Sequence, residues 1–360
     1  MVRNLRNIIW IKSWIEEIQY QGIGVFNDLQ CTGVLHHLKD PFLGLNVLKG
    51  ALVQNGKLDI MVYAKYGRTA VYQIQHLMKL INSYTKSDIE IELENTKHTL
   101  AALPNYNWFM LKSFINDHKQ GNFGIYDLLI HKRDISFSSE TLFKWIENSG
   151  LHYVEIDDYF QRYLLKPQHV FRDELTRKMI SRLRIPKTFH VNEIIQGKII
   201  KQTFYATKSD ENIASVHDTS NIIYINGNAK GLREAIDKER NYMVLGNQTF
   251  FQAKLSEKTI IQYRTDTCEP SVHGRGSVVI RFRSNDFIKF CLRRLLRFKN
   301  GIKVESIYED YKKVSKLTSE QEMKALFEEF YNSMKDSDVF MLKKNHTTTN
   351  SYLCFEVKSS

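Results

Sequence analysis

Hydrophobic and polar positions alternate along this chain in a strand–helix–strand–helix rhythm from its first quarter onward. Residues 27–32 (NDLQCT) are a strand candidate, followed by the turn GVLHHLKDP. Residues 41–53 (PFLGLNVLKGALV) carry apolar positions at helical spacing. Pro41 opens that helix, where its missing N–H leaves no bond unmade. The Asn55–Gly56 pair is expected to end it. Residues 57–63 (KLDIMVY) read as a buried strand, and 69–83 (TAVYQIQHLMKLINS) as an amphipathic helix capped by Thr69. Two strands joined by a crossover helix pair in parallel through a right-handed connection.

A polar stretch from 84 to 122 interrupts this pattern. Residues 124–131 (GIYDLLIH) fit a helix or a strand. Residues 138–150 (SSETLFKWIENSG) have firm helix punctuation: Ser138 as the cap, a carboxylate in the first turn and Gly150 at the end. Residues 151–156 (LHYVEI) follow as a strand. The texture then changes. Residues 170–184 read as a basic helix, and 187–283 as short alternating segments with one helix near 229–238. Three helices are expected at 285–298, 303–313 and 318–336, the last capped by Thr318 or Ser319, and then the strand VFMLKK.

Composition narrows the class. The 360 residues are 42% hydrophobic and 12% aromatic, enough to bury a core rather than stay disordered. The net charge is +11, which favours anionic partners, although a merely Lys-rich chain has the same balance. Cys31, Cys268, Cys291 and Cys354 are scattered, so neither a zinc site nor a disulfide framework is indicated, and a reducing intracellular, cytoplasmic setting is expected. No stretch approaches the roughly 18 uninterrupted apolar residues of a membrane span.

The most specific string is CTGVLHHLKDP, 31–41. It sits where a parallel strand ends and its helix begins, the edge at which open α/β sheets bind ligands. His36 and His37 there are acid/base groups, ligands, or packing at the start of the helix. No metal is expected, because adjacent histidines point in different directions and no other ligand stands at a useful offset. Gly22 and Gly24 form GIG, without the strand–loop–helix context of a phosphate loop; a turn is the better reading.

The string resembles the fourth-strand motif of class I S-adenosylmethionine-dependent methyltransferases (a type 11/12-like domain): a strand, GVLHH, then an Asp-Pro pair opening a helix. The succession continues with PFLGLNVLKGALVQNGKLDIMVY as helix, Gly-containing turn and fifth strand. MVYAKYGRT, 61–69, is similar to a subgroup with a Tyr and a Gly-Arg pair just after that strand. GIYDLLIH and SSETLFKWIENSGLHYVEI resemble the later substrate-side segment, closing helix and final strands.

The resemblance implies an α/β fold: a partial Rossmann-like methyltransferase sheet over 1–165, with an α+β region at 166–284, a winged-helix-like module at 285–345 and a tail at 346–360. It implies S-adenosyl-L-methionine as cofactor, contacted by Thr32, Gly33 and Val34. It places His36, His37, Tyr63 and Arg68 as candidate catalytic residues near the transferred methyl and the acceptor, with Tyr66 and Gly67 at the substrate border. Taken as structure, Tyr63 is core and Arg68 pairs with a carboxylate or a helix end. His131 and Asp134 are either structural or substrate-side. The family's first three strands and its glycine loop precede the fourth strand, and the residues before 27 contain neither. The expectation is therefore a truncated domain with an exposed sheet edge and impaired activity as an isolated chain. The alternative is a non-catalytic binding or scaffold protein. Nucleic acid or acidic partners would then meet Arg281, Arg283, Arg293, Arg294 and Arg297.

Overall fold

The computed structural model describes residues 10–86, 88–111, 115–156, 161, 164–165, 171, 173–225, 232–236, 238–256, 262–263, 270–271, 277–298, 300–315, 319–334, 339–345 and 354–357. The chain divides into two units, residues 1–209 with 350–360, and residues 210–349.

The first unit is built on a mixed four-stranded sheet. Strand β2 (Phe26–Thr32) feeds helix α1 (Pro41–Gly50), which returns the chain to β3 (Leu52–Tyr63). The two strands pair in parallel, Leu29 beside Leu58 and Cys31 beside Ile60. Asp40 caps α1 by accepting from the Leu43 N–H at 3.0 Å, and Pro41 occupies the first turn. The helix ends at Gly50, earlier than the Asn55–Gly56 pair suggested, and β3 runs through that pair. The β2–β3 register shifts between Phe26 and Asp28, and a Cβ on Gly56 would stand 2.9 Å from the Asn27 carbonyl oxygen. That glycine permits close strand approach rather than ending a helix.

Helix α2 (Thr69–Ile81) follows. Its N-cap position is Arg68, without a side-chain cap; Thr69 Oγ1 donates instead to the Tyr66 carbonyl at 2.8 Å. Helix α3 (Ile89–Ala102) falls in the stretch that carried no clear period. The ambiguous 124–131 segment is helical: one α turn, α4 (Asn122–Ile125), widens into a π turn at Tyr126–Ile130. Helix α5 (Ser139–Asn148) has the expected Ser138 cap, completed by Thr141 as a capping box, and leads to β4 (His152–Glu155).

Helices α6 (Glu174–Ser181) and α7 (Ile185–Gln196) precede β5 (Lys201–Thr207). Strand β5 inserts antiparallel between β3 and β4, giving the order β2-β3-β5-β4. The first unit thus extends past residue 165, the sequence-derived boundary, because 201–207 completes its sheet. Leu58, Ile60, Val62, Phe204 and Ala206 share one core with Leu45 and Leu48 of α1 and Leu142, Trp145 and Ile146 of α5. Val71, Ile74 and Met78 of α2 pack on Phe109, Leu128 and Leu129 in another. Strand β1 (Trp10–Ser13) pairs in parallel with Cys354–Val357.

In the second unit, β6 (Ile222–Ile225), α8 (Leu232–Ile236), β7 (Tyr242–Leu245), β8 (Gln248–Ser256) and β9 (Ser277–Ser284) precede the expected helices α9 (Asp286–Arg297), α10 (Val304–Val314) and α11 (Glu320–Met334). Ser319 Oγ accepts from the Glu322 N–H at 3.3 Å as the cap of α11; Thr318 lies outside the described residues. Strands β10 (Ile302–Lys303) and β11 (Phe340–Lys343) both flank β6. Residues 285–345 therefore do not form a module by themselves. Ile223, Phe251, Phe282, Cys291, Leu292, Ile307, Phe327 and Phe340 belong to one core.

Candidate functional site

Strand β2 delivers the chain to its carboxyl edge at Thr32, and Gly33 turns it away. Gly33 adopts φ +78°, in the left-handed region, while its N–H still donates to the Met61 carbonyl at 3.1 Å. A short 3-10 turn, Leu35–His37, then presents both histidines before Asp40 starts α1.

A second segment is fastened against this turn. The Ile135 N–H donates to the His36 carbonyl at 3.0 Å, and the Phe137 N–H to the Tyr63 carbonyl at 2.9 Å. These bonds place residues 131–137 beside the ends of β2 and β3, so groups from three distant stretches meet. A cavity of about 480 Å³ opens there. Gly33, Val34, His37, Leu38 and Lys39 form one wall, Phe123, Tyr126, Asp127, His131 and Arg133 another, and Trp14, Glu16 and Glu17 a third.

The seven site residues expected from sequence divide between the cavity, the interior and, for Thr32, the surface. Gly33, Val34 and His37 line the cavity. Thr32, at the strand end, is exposed and does not line it. His36 is fully buried. Its ring lies between His37, 4.1 Å away, and Tyr63, 3.9 Å away, centroid to centroid. Neither of its nitrogens has a hydrogen-bond partner. Burial, reinforced by the charges of its neighbours, pushes its pKa down to about 2, so the imidazole is neutral at physiological pH.

Arg68 is interior as well. Its guanidinium carbon stands 3.5 Å over the Tyr63 ring, and Nη2 meets Asp134 Oδ2 at 3.4 Å, both side chains almost entirely covered. Gln75 Nε2 donates to the same oxygen at 2.9 Å and to the Leu128 carbonyl at 2.9 Å. Asp134 Oδ1 has no partner. The structural reading of Arg68, a carboxylate partner, is the one these contacts match. Tyr63 donates to Asp127 Oδ2 at 3.3 Å, and burial raises its phenol to about 12, against the opposing pull of Arg68.

His37 and His131 share an acceptor. The Arg133 carbonyl stands 2.7 Å from His37 Nδ1 and 2.6 Å from His131 Nδ1, and the two ring centroids lie 4.1 Å apart with their planes tilted by 46°. With Nδ1–H donating to the carbonyl, His37 keeps Nε2 as a free lone pair. Burial lowers the pKa of His131, and His37 beside it lowers it further. Asp127, Gln75 and the Trp14–Glu17 turn carried no sequence signal for a site. The nearest hint was GIYDLLIH, whose π turn is a form of helix found often at functional sites. The Tyr66 hydroxyl lies 3.5 Å from His190 Nε2 and does not line the cavity.

No family model matches the chain. An uncharacterized protein of Synechococcus sp. is 28% identical over 191 residues, 52% of this chain and 45% of that protein. The structure of PKMT2 from Rickettsia typhi in complex with AdoHcy aligns with a TM-score of 0.47 at 14% identity, covering 92% of this chain and 61% of that one. A second structure of PKMT2 from Rickettsia typhi gives 0.44 at 13%, covering 89% and 58%. The chain thus spans under half of the curated relative's length and about three fifths of the solved chains.

Proposed function

We propose that the first unit acts in S-adenosylmethionine-dependent methyl transfer, with the cavity beside Gly33 receiving the methionine end of the cofactor and the acceptor group. The observation that carries this reading is the β2–Gly33–α1 crossover. It brings the methyltransferase-like string CTGVLHHLKDP to the carboxyl edge of a parallel strand pair, with Gly33, Val34 and His37 on one wall of a cavity. Ligands bind at that edge in open α/β sheets.

The cofactor supplies the reactive methyl; the protein must align sulfur, methyl and nucleophile. Gly33 and Val34 would border the sulfonium side. His37, with Nδ1 tied to the Arg133 carbonyl, would accept the proton an O or N acceptor loses. His36, Tyr63 and Arg68 would position His37 and the cavity wall from behind, through the contacts between their rings and the Asp134 pair. The acceptor is not specified by these groups.

Calorimetric titration with S-adenosylmethionine and S-adenosylhomocysteine tests the reading. Saturable binding that weakens about tenfold or more in His37→Ala and Val34→Phe supports it. Absence of binding up to millimolar ligand leaves the scaffold reading. Two of the arginines proposed for nucleic acid are already in ion pairs: Arg283 with Glu329 at 3.9 Å, and Arg294 with Asp310. Arg293 and Arg297 are exposed, and the side chain of Arg281 lies outside the described residues. Nothing in these contacts favours a nucleic-acid surface.

A further inference from the structure

We propose that His36, His37 and Asp134 form a binding site for a divalent first-row transition metal ion. The proposal is independent of the methyl-transfer reading, since it uses no cofactor contact. One ring nitrogen of each histidine and one carboxylate oxygen of Asp134 lie within 4.8 Å of one another. Sequence spacing offered no third ligand for the adjacent histidines. The fold supplies one from 97 positions downstream, through the Ile135-to-His36 backbone bond that docks residues 131–137 on the histidine turn.

Three further observations point to a ligand at this place. His36 is wholly buried, and both its ring nitrogens are unpartnered. A neutral imidazole has one donor and one lone pair, and leaving both unsatisfied in the interior costs free energy that a bound cation would offset at the lone pair. Asp134 Oδ1 is likewise buried and unpartnered, while Oδ2 is occupied by Arg68 and Gln75. His37 has its Nδ1 fixed on a backbone carbonyl, the outer-sphere bond that orients metal-ligating histidines and leaves Nε2 for the ion.

Two imidazoles and a carboxylate suit zinc, iron(II), cobalt(II) or nickel(II) better than magnesium or calcium, which prefer all-oxygen sets. Three protein ligands leave at least one coordination position for water or a further ligand. The Arg68 guanidinium beside Asp134 carries a like charge to the metal, which restrains its affinity. The lone pair of His37 that takes the metal is the one that would take a proton in methyl transfer. The two uses are mutually exclusive at any instant.

The test is titration of the purified, tag-free, chelator-stripped full chain with ZnCl2 by calorimetry, and with CoCl2 by visible absorption. The expected result is one saturable site per chain, with cobalt d–d bands, and affinity reduced about tenfold or more in each of Asp134→Asn and His37→Gln. Asp134→Asn removes the ligand with little change in shape, and His37→Gln leaves the buried Arg68–Asp134 pair intact. Circular dichroism and thermal melting of each variant show that it is folded, and a given metal concentration should raise the melting temperature of the wild type more than that of either variant. No saturable site in the wild type overturns the proposal. So does a site whose affinity is unchanged in both folded variants, since the metal would then sit on other histidines.

Discussion

His36 is buried without a partner for either nitrogen, and its neutrality has a measurable consequence. In the unfolded chain it takes a proton near its ordinary 6.5, while in the folded protein it resists protonation down to about 2. The unfolded state therefore binds more protons as the pH falls. Its contribution to stability is complete above about pH 6.5 and shrinks as the pH drops through that value toward 2. The slope is at most about 1.4 kcal/mol per pH unit, so about 2 kcal/mol should be lost between pH 6.5 and 5. Urea unfolding of the metal-free protein across that range should show the loss, and His36→Gln should show a flatter dependence; equal slopes would remove this account. Arg68 makes a second prediction. Arg68→Met leaves the Asp134 carboxylate buried without its cation, and should cost about 3–5 kcal/mol in urea unfolding. A cost below about 1 kcal/mol would mean that the pair is solvated in solution.

Two glycines separate strain from space at the scale of single elements. A Cβ at Gly67, just beyond β3, would lie 2.0 Å from the Ile199 carbonyl oxygen, backbone that has to stay in place for β5 to enter the sheet. Gly67→Ala should therefore cost more than about 3 kcal/mol or prevent folding. Gly22 has open space around it but a φ of +63°, so Gly22→Ala should cost only about 1–2 kcal/mol. Similar melting temperatures for the two variants would contradict the tight β3–β5 approach. At the start of α1, Asp40→Ala removes the acceptor for the Leu43 N–H and should cost about 1 kcal/mol. Because α1 leads directly from the histidine turn, the same variant should loosen His37, read as faster hydrogen exchange over 35–44.

For the molecule as a whole, the decisive element is β5. Its pairing with β3 and β4 means that a fragment ending at residue 165 lacks the strand that joins the two halves of the sheet. Leu58, Ile60 and Val62 would then lose the packing that Phe204 and Ala206 complete. A 1–165 fragment should unfold without a cooperative transition, whereas 1–209 should retain one by circular dichroism. Cooperative melting of the shorter fragment would show that β5 is dispensable. Among the described residues, no helix is long and apolar enough to cross a membrane.

The sequence alone determined the elements whose cause is local. Asp40 and Pro41 start α1, Ser138 and Gly150 bound α5, and the alternation of Leu58, Ile60 and Val62 makes β3 a core strand, because caps, φ preferences and side-chain period act within a few residues. The same locality placed the C-terminal helices. What it could not assign was 201–207, since a short strand shows its partners only when they are brought to it from 57–63 and 152–155. The site divides in the same way. His36 and His37 stood out in their string, yet which one faces a cavity, and that Asp134 and His131 join them, followed from backbone bonds across about a hundred residues. Burial, pairing and the direction of each pKa shift are properties of surroundings, and those surroundings exist only once the chain has closed on itself.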